Sequence, residues 1–70
     1  MSLQENKSYK IQIDTKNCIL TYHCKIISID EVFVTFIDDR GKTWNYNINS
    51  IFSYTEIDPI NTEGGQHENY

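Results

Sequence analysis

One proline, three glycines and two cysteines are all that 70 residues contain of these types, and each scarcity narrows what the chain can be. No apolar run approaches the ~20 residues a helix needs to span a membrane. The opening stretch MSLQENKSYK lacks the apolar segment of a secretory signal. No glycine-rich loop is present to cradle a phosphate, and Gly64-Gly65 reads as linker. A chain this short makes one domain and buries only roughly 60% of its unfolded surface, so its stability is expected to be marginal.

The two cysteines, Cys18 and Cys24, lie six residues apart in a stretch that reads as one extended strand. Six residues of strand span about 20 Å. A disulfide needs Cα atoms about 5.5–6 Å apart, so the pair cannot close within that strand. Reduced thiols in a cytoplasmic chain are the simpler expectation. His23 adjoins Cys24, but neighbours on a strand point to opposite faces and cannot share a metal ion without a kink. Neither thiol has a base and a third partner in sequence that would make it a nucleophile. The acid pairs Asp30-Glu31 and Asp38-Asp39 sit where turns are expected, a setting in which Asp bonds backbone amides. No catalytic residue, metal site or cofactor is assigned.

Charge is unevenly spread. Residues 8–57 hold five bases (Lys10, Lys16, Lys25, Arg40, Lys42) against six acids (Asp14, Asp30, Glu31, Asp38, Asp39, Glu56), a net of −1. Residues 58–70 carry Asp58, Glu63 and Glu68 and no base, a net of −3, while residues 1–7 cancel. That last stretch, DPINTEGGQHENY, has too little apolar surface to offset its ordering entropy and is expected to be a flexible acidic tail. Residues 1–7 are polar and expected to fray, or to form at most one helical turn.

What the chain does have is aromatic weight (five Tyr, three Phe, one Trp) and a hydrophobic period of two. Tyr9, Ile11 and Ile13 alternate with Lys10, Gln12 and Asp14, the pattern of a half-buried strand. From Cys18 the even positions Cys18, Leu20, Tyr22, Cys24 and Ile26 face inward, and then parity switches to Ile27 and Ile29, which predicts a bulge or sharp bend. Pairing Ile13 with Leu20, Ile11 with Tyr22 and Tyr9 with Cys24 leaves Lys16-Asn17 as a two-residue turn, with Asn tolerating positive φ. Pairing Phe36 with Trp44, Val34 with Tyr46 and Val32 with Ile48 leaves Asp39-Arg40-Gly41 as a three-residue loop, with Gly41 in the left-handed position. This register turns Trp44, Tyr46 and Ile48 to the core and leaves a polar ladder of Thr43, Asn45, Asn47 and Asn49 outside. Asn49-Ser50 reads as a single 3₁₀ turn, and residues 51–57 as a short fifth strand. Five strands with one strongly bent, over residues 8–57, predict an all-β, SH3-like small barrel.

The segments YKIQIDTKN, YHCKIISIDEVFVTFIDDRGK and NINSIFSYTEI together resemble the Sm-like group of small barrels, over residues 9–57, about seventy per cent of the chain. The resemblance implies an oligomeric ring made by pairing the fourth and fifth strands of neighbours, with single-stranded RNA at the pore. Asp30 matches the acid of the family's first motif. Cys24 stands where many members have glycine, Val32-Phe33 replaces polar loop residues that hold a base, and Asn49-Ser50 occupies the Arg-Gly of the second motif. The YKH signature of bacterial Hfq is absent.

The expectation is a non-catalytic binding module of the cytoplasm contacting single-stranded RNA or DNA as a homo-oligomer, through Lys25, Arg40, Lys42, Asn45, Asn47 and Asn49. Five bases on such a barrel are few for phosphate neutralisation, so binding rests on several copies acting together. The alternative is a protein-interaction adaptor, or a regulatory protein of a mobile element, using a strand edge or exposed Ile19, Phe33 or Phe52. No membrane partner is expected.

Overall fold

The computed structural model describes residues 3–60, and the expectation of a flexible tail falls largely on residues outside them. Five strands form one antiparallel sheet: β1 (Ser8–Asp14), β2 (Ile19–Ile29), β3 (Phe33–Asp38), β4 (Thr43–Asn47) and β5 (Ile51–Glu56), with a 3₁₀ turn at Ile48–Ser50. Their order across the sheet is β4-β3-β2-β1-β5. The sheet is all-β as expected, but it does not close into a barrel. β4 and β5 lie at opposite edges and do not pair with each other. The 3₁₀ turn, capped by Asn47, carries the chain across to β1 instead of back along β4.

The register follows from the alternation. Tyr9 pairs with Cys24, Ile11 with Tyr22 and Ile13 with Leu20, while Phe36 pairs with Trp44 and Val34 with Tyr46. The next expected pair, Val32 with Ile48, survives as one backbone bond, Ile48 N–H to Val32 O at 2.8 Å. β2 bends where its parity switches, with a register shift between Ile26 and Ser28. The bulged residue is Ile27, which is exposed rather than inward, and only Ile29 turns back toward the core. Val32 is likewise exposed, because the chain is already in the turn there. A second shift, between Gln12 and Ile13, kinks β1 against β5. Bulges increase local twist, so the sheet coils over its own inner face. That face buries Tyr9, Ile11, Ile13, Cys24, Ile26, Val34, Phe36 and Ile51.

Leu3 joins this core at 8% exposure. Residues 3–7 are bonded to the sheet rather than frayed from it. Asn6 N–H donates to Ile26 O and Ile26 N–H to Lys7 O, Gln4 N–H donates to the Tyr9 hydroxyl at 3.0 Å, and Glu5 accepts from Ile29 N–H at 3.0 Å. Asn6 takes φ 69° to make this approach. At the other end Ile57 N–H donates to Ser8 O at 3.0 Å and Ile60 N–H to Ser8 Oγ at 3.2 Å, so residues 57–60 stay against the start of β1.

Candidate functional site

The β3–β4 hairpin carries two of the expected bases, and Asp38 builds it. Gly41 has φ 86°, the left-handed conformation the three-residue loop requires. Asp38 Oδ1 accepts from the backbone N–H groups of Arg40 and Lys42, each at 2.9 Å. Its Oδ2 accepts from Trp44 Nε1 at 2.8 Å. Burial alone would raise the Asp38 pKa. Three hydrogen bonds and the Arg40 charge outweigh it and hold the carboxyl below the usual range. Arg40 and Lys42 are exposed on this frame, with the Lys42 ammonium 4.4 Å from the centroid of the Trp44 ring.

Trp44 and Tyr46 face the core side as expected, but both are half-buried. With Tyr22 and Phe36 they form one aromatic cluster, with ring centroids 5.2–6.0 Å apart. The Tyr22 and Tyr46 hydroxyls share a hydrogen bond at 2.8 Å. Burial first, and then this bond, push the Tyr22 pKa up. Tyr46 stacks with Phe36 and with Trp44, while Tyr22 meets all three at a tilt, and this mutual packing answers for their orientation.

The asparagine ladder is exposed, yet two of its members have local work. Asn45 Nδ2 donates to Thr35 Oγ1 across the β3–β4 pair at 2.8 Å. Asn47 Oδ1 caps the 3₁₀ turn by accepting from Asn49 N–H at 2.8 Å. Asn49 lies in that turn, exposed. Lys25 is half-buried on β2, opposite Ile37, which in turn faces Thr43. It is therefore two strands from the asparagines, and it borders a hollow with Ser8, Pro59 and Ile60. Of the six residues expected at a nucleic-acid surface, the structure brings Arg40 and Lys42 together on one loop and aligns Asn45 with Asn47. Lys25 stands apart from both pairs.

Asp30 is a turn-former. Its Oδ1 accepts from Val32 N–H at 2.8 Å and Phe33 N–H at 2.7 Å, bonds that lower its pKa. They hold Val32 and Phe33, both exposed, in one conformation. Ile19 and Phe52 are exposed too. Cys18 is exposed and Cys24 buried, both as free thiols. His23 points outward while Cys24 points inward. Among the described residues no three His, Cys, Asp or Glu side chains lie where they could share a metal ion, and no helix is long and apolar enough to cross a membrane.

One feature the residue pattern did not disclose is a cleft of about 260 Å³ between β2 and the hairpin, lined by Thr21, His23, Asp38, Asp39, Arg40 and Trp44. Its signal was the mismatch in strand lengths: a long apolar run from Cys18 facing a short one that ends at Asp38. Comparison with known protein families, curated proteins and solved structures finds no match to this chain.

Proposed function

We propose that the chain is a non-catalytic binding module, an open and bent five-stranded sheet related to the Sm-like group, cytoplasmic, which works as an oligomer and contacts single-stranded nucleic acid. The observation that carries this reading is the strand order, which leaves β4 and β5 as edges on opposite sides of one sheet, without a further strand beside either among the described residues. Such edges pair with another strand or must be protected. Pairing β4 of one copy with β5 of the next is a head-to-tail contact that repeats, and it closes into a ring when the rotation allows. Each added copy brings another Arg40–Lys42 loop. That repetition offsets the poverty of bases on one chain, because linked weak sites gain effective concentration. RNA is the nucleic acid that the resemblance favours.

The test is light scattering across a concentration series, combined with binding of a single-stranded oligouridine at two salt concentrations. An oligomer that binds more weakly as salt rises, and more weakly again with Arg40→Ala/Lys42→Ala, supports the reading. A monomer that binds no RNA at low salt removes it. In that event the adaptor reading stands, favoured by Ile19, Phe33 and Phe52, each about half exposed.

A further inference from the structure

β2 is eleven residues long and β3 is six. Pairing between them starts at Cys24 with Asp38 and runs only toward Ile29. From Ile19 to His23, β2 is paired with β1 alone. Successive residues of an antiparallel strand aim their backbone groups at opposite neighbours. The even positions aim at β1, since Ile26 N–H bonds Lys7 O and Cys18 O accepts from Thr15 N–H. Ile19, Thr21 and His23 therefore turn their N–H and C=O groups the other way. The ladder's last pair, Cys24 with Asp38, brings the hairpin up to the His23 carbonyl; beyond it no strand and no backbone bond of the hairpin meets Ile19, Thr21 or the His23 N–H among the described residues. The cleft described above opens along Thr21 to His23, with the hairpin as its far wall.

We infer that this third edge, Ile19 to His23, takes an extended peptide segment of a partner protein as an added strand, its backbone pairing with Ile19, Thr21 and His23. This site is separate from the β4 and β5 edges and does not depend on their use. Five strand residues span about 17 Å. That length suits a peptide strand and is too short to supply the roughly 1,200 Å² of a stable dimer interface, so a second copy is the poorer occupant. Charge selects the peptide further. Asp38 and Asp39 face the cleft with Arg40, two acids to one base. The Asp38 oxygens are taken by three donors, whereas Asp39 has no hydrogen bond or ion pair among the described residues. A basic side chain on the peptide pairs with Asp39, and an apolar one packs beside exposed Ile19.

The experiment selects peptides from a displayed random heptapeptide library on the full chain, then measures the chosen synthetic peptide by fluorescence anisotropy. The expected sequences alternate apolar residues with others and include Lys or Arg. Thr21→Pro removes only an outward N–H, as an edge strand tolerates, and is expected to weaken binding about tenfold or more, with circular dichroism unchanged. Asp39→Asn is expected to weaken it severalfold. Amide hydrogen exchange supplies a second readout that needs no variant. In the free chain Ile19, Thr21 and His23 should exchange faster than Leu20 and Tyr22, and the peptide should slow them. No enriched sequence, enrichment of acidic sequences, or unchanged affinity with a folded Thr21→Pro chain overturns the inference. So does protection of Thr21 in the free chain that grows with protein concentration, which would put a second copy at this edge.

Discussion

At Asp38 one carboxylate accepts from two backbone amides and an indole, so the turn and the aromatic cluster share a single support. Asp38→Asn replaces one accepting oxygen by a donor. Hydrogen bonds to a charged group contribute about 1.5–3 kcal/mol each, and the substitution should cost that order in a urea titration. The same bonds set a pH dependence. Asp38 and Asp30 both have carboxyl pKa values lowered by folding, so between the folded and unfolded values the unfolded chain binds more protons. Their stabilisation is complete above the ordinary carboxylate range, near pH 4, and is lost as pH falls through the lowered values. Urea midpoints measured from pH 6 down to pH 2 should fall below pH 4, and less steeply in Asp30→Asn/Asp38→Asn. The thiols separate by the same logic of environment. Burial, reinforced by the Asp38 and Asp39 charges, pushes the Cys24 pKa up to about 12, while Cys18 is exposed. A thiol reagent at pH 8 should therefore label one group per native chain and two after denaturation. Rapid labelling of both in the native state would contradict the burial of Cys24.

Both hairpins keep the pairing that alternation predicts, yet they differ in loop length and in what makes them turn. The β3–β4 loop depends on the backbone of Gly41, at φ 86°. Gly41→Val should cost more than about 1 kcal/mol, read as a lowered thermal midpoint, because a β-branched residue is strained at positive φ. The β1–β2 turn depends on a side chain. Among the described residues neither Lys16 nor Asn17 takes positive φ. Instead Thr15 Oγ1 accepts from Asn17 N–H at 3.3 Å and Cys18 N–H at 3.1 Å, and donates to Cys18 O at 2.8 Å. The residue pattern placed both loops and both pairings, because alternation fixes register wherever one face is buried. It did not disclose Thr15, whose bonds need the turn geometry to exist first. The buried Leu3 was equally illegible, since a lone apolar residue among MSLQENK has no period to betray it. Least legible in the sequence is the local work of the polar ladder. Residue type singles out Lys25, Arg40, Lys42 and the asparagines, and type does not reveal that Asn45 and Asn47 already hold Thr35 and Asn49.

Among the described residues the molecule is one sheet, covered by its own curvature and by residues 3–7 and 57–60. Leu3 adds to the core from the N-terminal side, and Ile57 and Ile60 both bond to Ser8 at the start of β1. Lys7 and Glu56 reach each other at 3.6 Å between these ends, a surface ion pair that adds little. Among the described residues three stretches of strand edge have no strand beside them: β4, β5 and the first half of β2. In a chain of net charge −4, mutual repulsion between copies opposes indiscriminate edge pairing, most strongly at low salt.

The pairing of β5 with β1 also fixes a sequence of events in time. The β1–β2 and β3–β4 hairpins join residues close in the chain, whereas Ile13 meets Ile51 only after everything between them has been gathered. Closing a long loop costs more entropy than closing a turn, so β5 should dock after the transition state for folding has passed. Tyr54, opposite Ile11 and edge-on to Tyr9 with centroids 6.0 Å apart, reports on that step. In stopped-flow urea jumps Tyr54→Ala should speed unfolding and leave the refolding rate nearly unchanged. Slowed refolding would instead place β5 in the nucleus. With late docking, β5 is the strand that a transient opening frees first, so the fold's kinetic lifetime is set at its C-terminal edge.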